Sequence, residues 1–301
     1  MTPNIFVIIV TYNGMQWIDR CIKSVIDSYL QAKILLIDNG SKDGTKEYIS
    51  KNYPNVIVLP NDKNIGFGKA NNIGIKYALT HDCDFVYLLN QDAWIEKDTF
   101  QILINSINQN NNIGIISPLQ VTSDKLKLDK NFSKYCNTDS CPSLIDDLLL
   151  NQPLKSFYPI DFVMAAHWLL TKECIKKIGG FNPSFPHYGE DDNYLHRLKY
   201  HGLIYGICPL TKAVHDRECR IQTKKHIIYM NYIEYIKIYS NINLKSSIKF
   251  RKIFRNIITS IRLCFSHLTI EPIIYLFKFI FNLNKYKKNN NISKLNTSAF
   301  L

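Results

Sequence analysis

Short continuous apolar runs recur through the first part of the chain, and each one stops at a cluster of polar or turn-forming residues. Ile5-Phe6-Val7-Ile8-Ile9-Val10 ends at Thr11-Tyr12-Asn13-Gly14, Ala32 to Ile37 at Asp38-Asn39-Gly40, and Val56 to Leu59 at Pro60-Asn61. The fourth run, Phe85 to Leu89, breaks off at Asn90, and Gln91 and Asp92 follow. Continuous runs of this length suit strands buried on both faces, as in a parallel sheet covered by helices. Between the runs the period changes. From Met15 to Leu30, Trp17, Ile18, Cys21, Ile22, Val25 and Ile26 recur at helical spacing. A short helix follows Thr45 to about Lys51, and Asn64-Ile65-Gly66-Phe67-Gly68 leads into another that ends near Leu79. Four strands alternating with helices predict parallel, right-handed βαβ units, a Rossmann-like half of an α/β fold.

Downstream the pattern is mixed. Residues 98–112 predict a polar helix, Ile113 to Pro118 a strand, and 120–159 a turn-rich loop or insertion that is expected to be mobile. Ile160 to Leu170 reads as a strand, and Thr171-Lys172-Glu173 starts a helix that closes at Gly179-Gly180. A stiff aromatic and proline loop, Phe181 to Tyr188, precedes Glu190-Asp191-Asp192, which open a helix carrying Leu195 and Leu198. Ile204 to Ile207 and Ala213 to His215 read as two strand ends, and helices are expected over 227–239, 245–263 and 272–283. Lys287 to Leu301, rich in Asn, Lys and Ser, has the composition of a disordered tail.

Composition adds one asymmetry. A 301-residue chain with 46% hydrophobic and 21% charged residues is globular and long enough for one large or two modest domains. Ile5 to Val10 is too short an apolar run for a signal peptide and has no basic segment before it. Eight scattered cysteines form no Cys-x-x-Cys pair. Cys136 and Cys141 have no matching Cys/His pair at zinc spacing, so reduced thiols are expected. Residues 220–301 hold 15 Lys and Arg against two acids, whereas residues 1–219 hold 22 against 23. The chain therefore divides into a near-neutral body, 1–218, and a basic helical extension, 219–301. In the extension, cations alternate with bulky aliphatic and aromatic residues at amphipathic spacing, which suits an anionic membrane interface. Packing of these helices on the body, with solvated cations, is the other reading. No nucleic-acid-binding module is present, so no nucleic-acid partner is expected, and Pro272 to Leu283 is too short to span a bilayer.

Candidate chemistry gathers at strand ends. Thr11 and Asn13, Asp38 and Asn39, and Asn90 and Asp92 all follow predicted strands, where open α/β sheets bind ligands. Asn and Asp favour turns by themselves, but the same edge acquires three such sets. A nucleotide pocket accounts for them: one carboxylate for a base or ribose, hydroxyls and amides for phosphate or sugar, and one carboxylate for a cation. Gly66-x-Gly68 lacks the third glycine of a dinucleotide fingerprint and follows the third strand instead of the first, which excludes a dehydrogenase. One acid suffices to cap a helix, yet Glu190, Asp191 and Asp192 stand together behind a rigid loop.

These stretches, taken in order, resemble the family 2 inverting glycosyltransferases of the GT-A fold over roughly residues 4–218. The resemblance rests on Val10-Thr11-Tyr12-Asn13, Asp38 to Thr45, Asn64 to Gly68, Leu89 to Asp92, Gly179-Gly180-Phe181, Gly189-Glu190-Asp191 and Val214-His215. It is nearest to the branch that builds bacterial surface polysaccharides, including rhamnosyl- and galactosyltransferases. It implies a Rossmann-like nucleotide-binding mixed sheet flanked by helices, with the basic helical region as a C-terminal extension. The implied reaction moves a hexose or deoxyhexose from a UDP- or dTDP-sugar to a lipid-linked or oligosaccharide acceptor in O-antigen or capsule biosynthesis. The implied cofactor is Mg²⁺ or Mn²⁺, and the implied location is the inner face of the cytoplasmic membrane, as a peripheral protein.

Residue by residue, the family's Asp-x-Asp motif survives as Asn90-Gln91-Asp92, with Asp92 and His215 as the implied metal ligands. Asp38 corresponds to the residue that reads the nucleobase, and Thr11, Tyr12, Asn13, Asn39, Asn64, Gly66 and Asn90 are implied to line the nucleotide-sugar site with it. Asp191 is the implied general base, Glu190 its neighbour that orients the acceptor or the loop, and Asp192 a helix-terminus residue. Trp168 and His187 are expected on the acceptor side, under cover of the 120–159 insertion. A sugar-nucleotidyltransferase would need a Gly-rich, Arg- or Lys-bearing loop after the first strand, which Thr11-Tyr12-Asn13-Gly14 does not supply.

Overall fold

The computed structural model describes residues 2–216 and 223–301. The first half alternates as expected: β1 (Ile5–Thr11), α1 (Met15–Ile26), β2 (Ala32–Asp38), α2 (Thr45–Asn52), β3 (Ile57–Pro60), α3 (Phe67–Thr80) and β4 (Phe85–Asn90). The physical reason for the unbroken apolar runs is visible in β1. Phe6 and Ile8 pack with Ala70, Ile75 and Ala78 of α3 on one face. Ile5, Val7 and Ile9 pack with Ile18, Cys21, Ile22 and Val25 of α1 on the other. Gly74 lets α3 approach the sheet, since a Cβ there would lie 2.7 Å from Ile8 Cγ2.

Next come β5 (Ala93–Ile95), α4 (Thr99–Gln109), β6 (Ile113–Val121), α5 (Leu144–Leu149), β7 (Tyr158–Pro159) and β8 (His167–Thr171). The body then ends with α6 (Lys172–Ile178), α7 (Glu190–Tyr200) and β9 (Ile204–His215). The strands form one mixed sheet in the order β3-β2-β1-β4-β8-β6-β9-β5, with β7 beside β9. The β3-β2-β1-β4 half is parallel, β8 runs antiparallel to both β4 and β6, and β6 and β9 are parallel. Register sets the functional edge: Thr11 is paired with Asp38, and Val10 with Asn90.

Several expectations change. The strand expected over 160–170 begins only at His167, because Ile160, Val163, Met164, Ala165 and Ala166 are buried as irregular backbone packed on the core. The two strand ends near 204–207 and 213–215 belong to one strand, β9, which passes an irregularity opposite Pro118 and Leu119. The 120–159 insertion is anchored through Phe132, Cys141 and Leu144, which join the main core.

The extension is α8 (Lys224–Ser240), α9 (Ser246–His267), α10 (Glu271–Phe281) and α11 (Leu283–Ser293). Phe185 of the body joins Tyr232, Ile233, Tyr235, Ile236, Phe279 and Tyr286 in a second core. The disordered tail expected over 287–301 is corrected here, because its asparagines find partners. Asn289 Nδ2 donates to Ser184 Oγ at 2.8 Å, and Asn290 Nδ2 to the Tyr239 carbonyl at 3.1 Å. The Gly180 N–H donates to the Ala299 carbonyl at 2.7 Å. The boundary expected at 218/219 lies outside the described residues. Among the described residues, no helix is long and apolar enough to cross a membrane.

Candidate active site

The loops after β1, β2 and β3 are stitched together by their own polar groups. Thr11 Oγ1 donates to Gln91 Oε1 at 2.8 Å, and the Tyr12 N–H donates to the same oxygen at 2.9 Å. Gln91 thus pins the turn after β4 to the end of β1, a role its place between Asn90 and Asp92 did not disclose. Asn13 has a left-handed backbone, φ 51°. Its N–H donates to Ser41 Oγ and its Oδ1 accepts the Lys42 N–H, both at 2.9 Å. Asp38 is buried and accepts the Ser41 N–H at 3.3 Å from each oxygen. Asn39 Nδ2 donates to Asn64 Oδ1 at 3.0 Å, while the Ile65 and Gly66 N–H groups donate to Asn39 Oδ1 and Asn64 Oδ1. The Asn39 and Asn64 amides therefore shape the loop. Of the residues expected on the donor side, Tyr12, Asn13 and Asn64 are exposed. Gly66 sits at φ +89°, and a Cβ there would lie 2.7 Å from the Pro186 carbonyl oxygen. That contact joins the donor-side loops to the loop that precedes the acidic triplet.

Asp92 and His215 are brought together by strand pairing, since Ala93 on β5 is opposite His215 on β9. His215 Nε2 lies 3.5 Å from Asp92 Oδ1 and 3.4 Å from Asn90 Nδ2. Asn90 Oδ1 and His215 Nδ1 are buried without a hydrogen-bond partner. Behind them, His167 is fixed by Tyr87 Oη at 3.0 Å and the Val214 carbonyl at 3.0 Å, with its ring edge-on to His215. Among the described residues, no three His, Cys, Asp or Glu side chains gather into a self-sufficient metal cage. One carboxylate, one imidazole and one unpaired amide oxygen fit an ion of the Mg²⁺ or Mn²⁺ kind, which takes one or two carboxylates and completes its shell with substrate phosphates. Cys136 and Cys141 are free thiols, as are the other described cysteines.

The acidic triplet opens α7 behind Gly189, whose φ is +83°. Glu190 is buried and its Oε2 has no hydrogen-bond partner. Burial, followed by the nearby charges of Asp191 and Asp192, pushes its carboxyl well above the usual carboxylate range. Asp191 is half-buried. Burial and then Asp192 raise its pKa, against the pull of the Asp192 N–H and of Lys237. Asp192 is paired with Lys237 Nζ at 2.7 Å, and Glu234 lies 3.8 Å from the same nitrogen. Burial opposes the charge on Lys237, but Asp192, Glu234 and Asp191 outweigh it and leave its pKa raised. Sequence reading missed Lys237, whose sole signal is a cation inside the apolar run Tyr235-Ile236-Lys237-Ile238. Tyr135 of the insertion also approaches the triplet: burial, then Asp192 and Asp191, raise its pKa.

The two acceptor-side expectations part company. His187 is exposed, with its ring against Tyr188 and its carbonyl accepting from Tyr229 Oη. Trp168 is corrected: its side chain is wholly buried, stacked on Phe181, and its Nε1–H donates to the Val163 carbonyl at 3.1 Å. It is a core residue with its one polar group satisfied.

The raised Glu190 pKa has a consequence for stability. The folded state binds this proton more tightly than the unfolded chain, so stability falls as pH rises from about 4 through the folded value. Glu190→Gln removes that loss. Its melting temperature is expected to exceed wild type by about 2 °C or more at pH 8, with the difference shrinking toward pH 5. Circular dichroism melts at the two pH values check this, and an equal shift at both would refute it.

A family model described as glycosyl transferase family 2 matches residues 6–179. A low-salt glycan biosynthesis hexosyltransferase of Haloferax volcanii is 22% identical over 236 residues, covering 78% of this chain and 74% of its own. The N-acetylglucosaminyl-diphospho-decaprenol L-rhamnosyltransferase of Mycobacterium tuberculosis is 25% identical over 244 residues, covering 72% and 77%. Among solved structures, S. aureus TarS in complex with UDP-GlcNAc aligns with TM-score 0.56 at 14% identity, covering 97% of this chain and 90% of its own. The mannosyltransferase PcManGT from Pyrobaculum calidifontis, in complex with GDP-Man and Mn²⁺, aligns with TM-score 0.55 at 13% identity, covering 97% and 84%. The architecture is the GT-A fold, with a helical C-terminal region. The family match spans more than half of the sequence, and the chain belongs to glycosyl transferase family 2.

Proposed function

We propose that this glycosyltransferase moves a hexose or deoxyhexose from a UDP- or dTDP-sugar to a lipid-linked saccharide, with inversion, in cell-surface polysaccharide assembly. The observation that carries this reading is the pairing of two unlike sites. The Asn90, Asp92 and His215 set lies at the carboxyl edge of the sheet, and the buried Glu190 with the half-buried Asp191 lies behind the loop that Gly66 touches. Two relatives support the substrate classes: TarS was solved with UDP-GlcNAc, and the mycobacterial enzyme is named for a decaprenol-linked acceptor. Residues 1–218 are the proposed catalytic domain and 219–301 the extension. A lipid-linked acceptor places the protein at the inner face of the cytoplasmic membrane as a peripheral protein.

In this reading Asp38 takes the nucleobase or ribose edge, and Thr11, Tyr12 and Asn13 line the nucleotide. Asp92, His215 and the Asn90 amide oxygen would hold Mg²⁺ or Mn²⁺, which as a Lewis acid offsets the charge of the leaving diphosphate. Asp191, half-buried and poised upward in pKa, takes the proton of the acceptor hydroxyl. The acceptor oxygen bonds to the anomeric carbon as the bond from that carbon to phosphate breaks, and the diphosphate leaves with the electron pair. Glu190, kept protonated by burial, orients the acceptor or the loop without competing as a base. Lys237 holds Asp192 in an ion pair and so reserves Asp191 for the hydroxyl.

Thermal melts against UDP, dTDP, GDP and CMP, each with and without Mn²⁺, test the donor site. A nucleotide at 100 times its Kd adds about 2.7 kcal/mol of stability. A Mn²⁺-dependent shift with UDP or dTDP is expected, and no shift with any nucleotide would overturn the assignment.

A further inference from the structure

Helix α9 turns one side to the protein. Ile253 and Ile257 pack on the second core, and Asn256 and Ser260 are buried against Asn231 and Tyr235 of α8. An adjacent side carries Phe250, Phe254, Ile258, Ile261 and Phe265, all exposed, Phe250 at 74% and Phe265 at 77%. Their spacing keeps the five within an arc of roughly 80° at the α-helical turn per residue. Arg251, Arg255 and Arg262 follow on the outer flank of that arc and are exposed as well. The row does not stop at the helix end. Leu268 in the turn is 93% exposed and Ile270 72%. Along α10, Ile274, Phe277 and Phe281 are exposed as well, at one-turn spacing.

An apolar row of this length, uncovered in water, marks a docking surface. Its chemistry selects among covers. Residues 245–281 hold seven Lys and Arg against one acid, Glu271. A second copy would bring the same cations against these, a like-charge juxtaposition that opposes self-association. A lipid interface answers both features: aromatic and aliphatic side chains enter the acyl boundary while guanidinium groups meet headgroup phosphates. We propose that the α9–α10 hairpin is the surface by which this protein docks on anionic lipid. The inference rests, for its setting, on the peripheral placement proposed above, and it gives that placement a defined face.

Co-sedimentation of the full chain with sucrose-loaded vesicles tests it, using phosphatidylcholine alone or mixed with phosphatidylglycerol. Capture by the anionic vesicles is expected, with weak capture by phosphatidylcholine. The triple variant Phe250→Ser, Phe254→Ser, Phe265→Ser should lower the partition coefficient by about tenfold or more. Arg251→Gln with Arg255→Gln and Arg262→Gln should flatten the dependence on anionic lipid. All six positions are exposed, and an unchanged melting temperature establishes that each variant is folded. Absent capture, or capture indifferent to the serine variant, overturns the proposal. So does a concentration-dependent dimer that forms without vesicles and disappears in that variant. The nucleotide-induced shift is read on the same samples, so failure of the donor site and failure of lipid docking are separate results.

Discussion

Asp191→Asn is expected to lower transfer by about 10²–10⁴-fold while leaving the nucleotide-induced thermal shift intact. The substitution keeps size and hydrogen-bonding shape and removes only the ability to accept a proton. Neither neighbouring acid can take over. Glu190 is buried and held protonated, and Asp192 is committed to Lys237 at 2.7 Å. The pH profile gives a second reading. A base works ionised, so kcat/KM falls as pH drops through its pKa. Burial and the Asp192 charge raise that pKa above the ordinary carboxylate value, so the acid limb of the wild-type profile should lie above pH 4 and toward neutrality. Residual activity of the variant should lack that limb. A pure variant that retained more than about a tenth of wild-type turnover would remove Asp191 from the role.

The parallel half of the sheet was legible because burial on both faces leaves an unmistakable trace. Three of the four apolar runs, β1, β2 and β4, are interior strands, β3 is the half-buried edge strand, and the parallel register aligns their ends, which puts Thr11 against Asp38 and Val10 against Asn90. Which side chains face a ligand was less legible. Asn39 and Asn64 satisfy each other, a pairing between two loops that no local pattern encodes. Trp168 was misplaced because an aromatic next to small residues suits a sugar platform and a core equally well. The deciding fact, a carbonyl at Val163 in reach of its indole N–H, is tertiary. Lys237 was invisible for the same reason, since its partner Asp192 is on another helix. The tail was misjudged because composition treats asparagine as solvent-seeking, whereas Asn289 and Asn290 are buried by bonding to Ser184 and Tyr239.

Asp92→Ala is expected to be the most damaging change on the donor side, because Asn90 has already replaced the first acid of the motif. Asp92 is the carboxylate that faces His215 at 3.5 Å; an imidazole nitrogen and an amide oxygen bring no negative charge, so neither offsets a divalent charge. If the cation contributes several kcal/mol to the departure of the diphosphate, its loss corresponds to a rate decrease of about a hundredfold or more. The direct readout is separate from turnover. In wild type, Mn²⁺ should enlarge the thermal shift given by UDP or dTDP, whereas in Asp92→Ala the nucleotide shift should remain and the metal increment vanish. Asp38, Thr11 and Asn13 are held by hydrogen bonds that do not involve Asp92, so the proposed nucleotide contacts should survive the change. His215→Gln should give a smaller loss of the increment, as one neutral ligand replaces another. A variant at Asp92 that kept the full metal increment would show that the cation is held elsewhere, and the assignment of Asn90, Asp92 and His215 as its donors would fall with it.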